Sequence, residues 1–303
     1  MLITAVIPTK NRPDDLTRAV LSICAQTRRP DELLIIDQSP DDRSQQCTTR
    51  ALSEHGRGLD VTYVRDPGIP GLVAAKRAAV ARARGELICF LEDDVVLEPD
   101  FLFNIEQGFL RDPAMMGCCG LVTNLPPLPP FYVRMFHFFH RGIFRDPRVG
   151  VHGATHAAGS PLIRSNYLSG GLSAYRREVF DAIAFDVQND FFMLEDIDFS
   201  TRAAQRFGDR FYINLAARLE HRMSPANRAV LAPRQRRKLR EFLVFYKKRR
   251  EAPGAAAALL VLLAGLLLEA GYQGLLARHP APVIGYFLGL WDGARWKLAR
   301  EPL

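Results

Sequence analysis

The stretch that decides the fold is ELICFLEDDVVLEPDFL, residues 86–102. Its first part, ELICFL (86–91), is an apolar run with neither the 3.6-residue spacing of a surface helix nor the alternation of a half-wet strand. Such a run reads as a strand buried on both faces, which requires helices above and below it. At the carboxyl end of that strand stand Glu92, Asp93 and Asp94. One acidic residue, or a pair, is ordinary loop chemistry. Three adjacent carboxylates repel one another, and a divalent cation relieves the repulsion. Hard oxygen ligands suit Mg²⁺ or Mn²⁺, ions that clamp a diphosphate.

The pattern repeats upstream. LITAVIP (2–8) and ELLII (32–36) are further buried strands and VTYV (61–64) another. Pro13 suits a first helical position, and Leu16, Ala19, Val20, Ile23 and Cys24 follow at helical spacing. An Ala-rich helix over about 72–84 leads through Gly85 back to the opening stretch. Strands alternating with helices over short links predict an α/β fold, a mostly parallel sheet covered on both sides by helices. In such sheets ligands sit beyond the carboxyl ends of the strands. One rim therefore collects Pro8, Thr9 and Asn11, then Asp37 and Ser39, then Arg65 and Asp66, then Glu92–Asp94.

Downstream the period breaks. LPPLPPFYVRMFHFFHRGIF (125–144) suits a lid, an acceptor-side loop or a poorly ordered excursion. Order returns with YLSGGLSAYRREVF (167–180), where Gly170 and Gly171 permit either a backbone turn close to an acceptor sugar or an ordinary tight turn. A helix is predicted over about 195–207, opening EDIDF, and RFYINLAARLEH (210–221) closes this body as a strand.

The net charge of +7 is local: residues 234–250 carry nine Lys/Arg and one Glu, leaving the rest of the 303 residues near neutral. A nearly neutral body argues against a nucleic-acid face and for a patch that meets an anionic membrane surface or a partner. The apolar stretch 255–268 is about 21 Å long as helix, short of the roughly 20 residues needed to span. The following segment bears Trp291 and Trp296, residues of the interfacial type. A helical hairpin lying in or dipping into one leaflet is expected, with a pair of packed soluble helices as the alternative. The division is a body over 1–228 and a tail over 229–303 that anchors without entering the site. Five cysteines (Cys24, Cys47, Cys89, Cys118, Cys119) in no CxxC spacing point to a reducing cytosol. MLITAVIPTK lacks a basic leader and reads as strand. His152 and His156 lack the glutamate of a metalloprotease helix. Walker A, GxGxxG and GxSxG motifs are missing.

VIPTKNRPDDLTRAVLSICAQTRRPDELLIIDQSPDD, ARARGELIC followed by FLEDDVVLEPDFL, SGGLSAYRREVF and EDIDFSTRAAQRFG together resemble glycosyltransferase family 2 over about residues 2–225. The resemblance implies the GT-A (Rossmann-like) fold and metal-dependent, inverting transfer from a nucleoside diphosphate sugar. It assigns Thr9 and Asp37 to the base, Lys76 to the donor, and Asp93 to the ribose. It makes Asp94 the principal metal ligand beside Glu92, and Asp196 of Glu195-Asp196 the catalytic base near the acceptor. Gln38 replaces a frequent Asp, which leaves the base open. His221, after the last strand, is either a ligand of metal or diphosphate or a structural histidine. Pro8, Asn11 and Ser39 complete the expected donor site, and Gly170, Gly171 and Glu195 the acceptor side.

The expected enzyme works on the cytoplasmic face of a bacterial inner membrane, peripheral or monotopic. Its acceptor would be a lipid-linked or cell-envelope glycan. A polyprenyl-phosphate sugar transferase is the nearest alternative enzyme. A nucleotidyltransferase would carry a Gly-rich N-terminal loop absent here. A non-enzymatic protein gripping RNA or membrane with its basic tail is the alternative from another class.

Overall fold

A computed structural model describes residues 1–151, 161–224 and 231–299. The first strands form as the apolar runs require: β1 (Ile3–Thr9), β2 (Glu32–Asp37), β3 (Asp60–Arg65) and β4 (Leu87–Leu91), with β1, β2 and β4 buried at every position. Helices α1 (Pro13–Cys24), α2 (Arg43–His55) and α3 (Gly71–Val80) connect them, α1 opening on Pro13. Then follow β5 (Val95–Leu97), α4 (Phe101–Arg111), β6 (Gly117–Val122) and α5 (Pro130–Phe139). Two short 3₁₀ turns, Gly142–Phe144 and Pro147–Gly150, lead to β7 (Leu162–Arg164), β8 (Leu172–Arg176) and α6 (Arg177–Ala182). Last in the body come α7 (Glu195–Phe207) and β9 (Phe211–His221). The aperiodic stretch after 124 thus holds a helix. Its sequence hides this because every residue of α5 stays partly or fully exposed, so no apolar stripe is demanded.

The strands make one sheet in the order β3-β2-β1-β4-β8-β6-β9-β5, with β7 on β9. The half built from β1 to β4 is parallel, as expected. Strand β8 enters antiparallel between β4 and β6, and β5 and β7 are antiparallel to β9. The parallel rim therefore ends against β8, whose amino end carries Gly170-Gly171.

Three helices form the tail: α8 (Leu231–Lys248), α9 (Ala255–Ala277) and α10 (Ala281–Arg295). They are not a free hairpin. Gly285, Gly289 and Gly293 let α10 lie directly on α8; a Cβ on Gly289 would stand 2.4 Å from the Arg236 carbonyl oxygen. Helix α9 is 23 residues, about 35 Å, longer than the 14-residue apolar run, and the polar residues in its second half find partners. Glu269 pairs with Lys238 and Gln273 accepts from Gln235, both on α8. A second apolar core joins Leu239, Phe242 and Phe245 of α8 and Leu262 and Leu266 of α9 to Phe144, Phe191 and Leu194 of the body.

The basic segment is correspondingly less available than its charge suggests. Arg236, Arg237, Lys238, Arg240, Lys248 and Arg249 all form ion pairs within the chain. Lys248 and Arg249 reach Asp198 on α7, so the tail bears on the body's site-forming helix instead of standing apart from it.

Candidate active site

Strand β4 delivers Glu92–Asp94 to the rim, and antiparallel pairing of β5 with β9 sets His221 opposite Val95, one residue beyond Asp94. His221 Nε2 lies 3.1 Å from Glu92 Oε2 and 3.2 Å from Asp94 Oδ1. One ligand atom from each of the three falls within 4.8 Å of the others. Burial pushes the Asp94 pKa up, but His221, the Ser224 amide and Arg12 outweigh it and hold the carboxyl below its ordinary value. Glu92 is pushed the other way, up, by burial, with His221 opposing and Asp94 adding to the rise. Its side chain keeps 42% of its surface open, so solvent weakens that push. Two carboxylates and an imidazole are a donor set for a mainly oxygen-liganded divalent cation; the carboxylates suit Mn²⁺ or Mg²⁺, and the imidazole favours the softer Mn²⁺.

Asp93 faces the other way. Its Oδ2 accepts from Thr9 at 2.7 Å and its Oδ1 from Arg12 Nη1 at 2.7 Å. Burial raises its pKa against the pull of Arg12 and Thr9. Beyond β1, Asn11 adopts a left-handed φ of 55°, and its amide donates to Ser39 Oγ at 2.8 Å. The Ser39 amide in turn donates to Asp37 Oδ1, and the Tyr63 hydroxyl donates to Asp37 Oδ2. Asp37 is fully buried, so it orders this loop from below. Gln38 donates to the carbonyls of Ile69 and Gly71. Pro8 lies inside β1 and is buried.

Gly170 and Gly171 separate the acidic cluster from a second group. A Cβ on Gly171 would stand 2.2 Å from Glu92 Cγ; one on Gly170 would stand 2.3 Å from Glu195 Oε1 and 2.8 Å from Lys76 Nζ. Neither glycine has a left-handed φ, so close approach, not turn geometry, explains the pair. Lys76 donates to the Gly170 carbonyl at 2.9 Å and pairs with Glu195, both side chains nearly buried. Burial raises the Glu195 pKa against the attraction of Lys76.

Asp196 sits one residue further, in the first turn of α7. Its Oδ1 accepts from the Ile197 amide at 2.8 Å. Its Oδ2 accepts from Arg148 Nη1 at 2.6 Å and from the Gly170 amide at 3.3 Å. Arg148 is itself held by Asp146 through Nε and Nη2. Burial opposes the Arg148 charge, but Asp196 and Asp146 more than compensate and raise its pKa.

The rim residues thus form two neighbouring sets, Glu92/Asp94/His221 and Lys76/Glu195/Asp196, while Thr9, Asn11, Asp37, Ser39 and Asp93 border the first. Sequence reasoning missed Arg12, Asp146 and Arg148. Arg12 was readable as a rim residue two positions past Lys10. Arg148 lies in the aperiodic segment, and nothing local marks it. His152 and His156 lie outside the described residues.

A parallel sheet with this polar rim is an architecture that known proteins share. The profile of Glycosyl transferase family 2 matches residues 4–184, more than half the chain, and the protein belongs to that family. It is 24% identical over 191 residues to the O-antigen chain rhamnosyltransferase RfbN of Salmonella typhimurium, spanning 61% of this chain and 55% of that protein. Over 109 residues it is 30% identical to an uncharacterised glycosyltransferase of Nostoc sp., spanning 36% of this chain and 33% of that one. The alignments therefore span about half or less of these relatives' own lengths. Among solved structures, the mannosyltransferase PcManGT from Pyrobaculum calidifontis, in complex with GDP-Man and Mn²⁺, superposes with a TM-score of 0.61. That likeness covers 97% of this chain and 87% of the other at 17% identity, and it shows the shared GT-A fold.

Proposed function

We propose that the enzyme is a metal-dependent, inverting transferase that moves a hexosyl or deoxyhexosyl group from a nucleoside diphosphate sugar to a lipid-linked or cell-envelope glycan. The observation that carries this reading is the position of Gly170-Gly171 between two acidic groups of different character. On one side Glu92, Asp94 and His221 would hold a divalent cation, which supplies charge to stabilise a departing diphosphate. On the other side Asp196 is anchored through three contacts at a helix start, where a carboxylate can take the acceptor hydroxyl's proton. Attack from the side opposite the leaving diphosphate then gives inversion.

Thr9, Asn11, Asp37, Ser39 and Asp93 order the loops over which the nucleoside would lie. Lys76 and Glu195 form the floor beneath Gly170, and the two glycines keep the backbone low where an acceptor sugar would approach. Exposed Leu260, Leu268, Leu275 and Leu276 of α9 would place this machinery on the cytoplasmic face of the membrane. Helix α9 is long and apolar enough to cross a bilayer, with mean hydropathy 2.0 and 28% of its apolar window buried.

The test is a donor panel of GDP-mannose, UDP-N-acetylglucosamine and a dTDP-deoxyhexose, with and without Mn²⁺, read by nucleoside diphosphate release. Release from one donor, abolished by EDTA and restored by Mn²⁺, is expected. Turnover indifferent to EDTA would remove the metal from this reading. Product extracted into an organic phase from polyprenyl phosphate alone would shift the acceptor to a lipid phosphate.

A further inference from the structure

Helix α7 begins without a cap of its own. Its N-cap position is Leu194, whose side chain has no hydrogen-bonding group, and Ile197 stands where a reciprocal capping box would carry Glu or Gln. A residue from the tail supplies what is missing. Glu241 of α8 accepts from the Met193 amide at 2.7 Å and the Leu194 amide at 3.0 Å, both through Oε2. Its Oε1 accepts from Arg237 at 3.0 Å, and the side chain is 1% exposed. Two turns along the same helix, Lys248 and Arg249 bind Asp198, itself 1% exposed, at 2.8 and 3.1 Å. Helix α8 and the residue that follows it therefore hold the first turn of α7 at two points, and Phe191 and Leu194 are packed into the tail's own core.

We propose that Glu241 is a positioning residue for sugar transfer: by binding the amides of Met193 and Leu194 it fixes where α7 begins, and so where Asp196 points. The inference rests on Asp196 as the base. The contacts of Asp196 leave little freedom: its own helix amide at Ile197, the Gly170 amide and Arg148 all depend on where the first helical turn is set. Without Glu241 one buried and one part-buried amide lose their acceptor, and the start of α7 is free to shift. The donor contacts on β1, β2 and β4 do not pass through α7 and would stay in place; Lys76 touches α7 through Glu195 but is also held by the Gly170 carbonyl, which does not belong to that helix. A misplaced base with an intact donor site lowers turnover and leaves donor binding alone.

The experiment uses the full-length chain with Glu241→Ala, Glu241→Gln and Glu241→Asp, and the most active donor of the panel. Glu241→Ala should lower kcat about tenfold to hundredfold, the scale of a small displacement of a reacting group, with donor KM and calorimetric affinity for the nucleoside diphosphate with Mn²⁺ nearly unchanged. Hydrogen exchange at Met193 and Leu194 should quicken in the same variant. Glu241→Gln keeps an acceptor oxygen at the same reach and should recover most of kcat. Glu241→Asp keeps the charge but draws it back by one methylene; it should lower kcat even where the Ala variant does not accumulate as folded protein. The inference is overturned by wild-type kcat in the Ala or Asp variant, by a Gln variant as impaired as Ala, or by donor affinity falling in step with kcat. Normal turnover in Asp196→Asn would instead remove the base assignment, while the exchange rates would still report the cap.

Discussion

Asp93 and Asp94 are neighbours with opposite duties. Asp93 is bonded to Thr9 and Arg12 and ties β4 to β1, whereas Asp94 faces His221 across the β5–β9 pair. Replacing Asp94 by Ala should abolish transfer and Mn²⁺-dependent binding of the nucleoside diphosphate, with the melting temperature nearly retained. His221→Ala should weaken metal affinity only partly, because water can fill one coordination position. Calorimetric titration of Mn²⁺ and nucleotide measures both, and unaltered affinity in Asp94→Ala would take the cation away from this cluster. Asp196→Asn is expected to leave donor affinity intact and reduce single-turnover transfer by a factor on the order of 10² to 10⁴, the range for loss of a general base. Donor affinity lost with normal residual chemistry would make Asp196 a donor ligand. The acidic run was legible because its residues are consecutive. The pairing of Lys76 with Glu195, 119 positions apart, was not, because no local pattern records which helices will meet.

Between elements, the contact of α8 with α7 is the feature the chain's periodicity conceals. Asp186 and Asp198 are both desolvated, yet Lys248 beside Asp186, and Arg202, Lys248 and Arg249 around Asp198, hold their pKa values below the ordinary 3.8. Carboxyls depressed by folding add stability that is fully present above their unfolded value and lost as pH falls through the folded one. The Lys248 contribution should therefore be constant from pH 8 to 5 and fade only below about pH 4. Thermal melts of the wild type and Lys248→Met across that range check it: their difference should be steady near neutrality and shrink in acid. A difference that changed between pH 6 and 8 would mean another group governs the grip. Helix α9 gives a second expectation. Leu262 is fully buried, and Leu262→Ala should cost about 2 to 5 kcal/mol by the usual measure of a core cavity, read by denaturant unfolding.

At the scale of the whole molecule, an apolar outer face and an internally paired basic helix change what would hold the proposed enzyme to a membrane. With five of its cations and the adjoining Arg249 paired inside the chain, α8 contributes less to lipid attraction than its sequence charge implies. Apolar burial by α9 and α10 is expected to dominate, and it is not screened by salt. Full-length protein should remain on phosphatidylglycerol-containing vesicles in 1 M salt, the Debye length there being about 3 Å. Leu260→Ser with Leu268→Ser and Leu275→Ser, all exposed, should release it while leaving turnover of a soluble acceptor unchanged. Loss of binding in high salt alone would return the basic segment to the leading role. Truncation after Pro233, which on sequence grounds would only solubilise the enzyme, is now expected to cost activity as well, since it removes Glu241 and Lys248.

The amino-acid order alone determined the parallel half of the sheet, the helix that starts at Glu195, and the acidic rim at Glu92–Asp94. Each depends on a short-range regularity: a run of apolar residues the length of a strand, a 3.6-residue period, or a charge cluster at a strand end. Only the tertiary structure decided that His221 joins that rim, that Gly170 and Gly171 are there to admit Glu195 and Glu92, and that Arg148 meets Asp196. It also decided that the basic tail packs against the helix that starts at Glu195. Those facts are contacts between residues tens to more than a hundred positions apart, and they depend on strand order and helix docking. The energy that selects such an arrangement is the burial of whole faces, and no single stretch of sequence carries it.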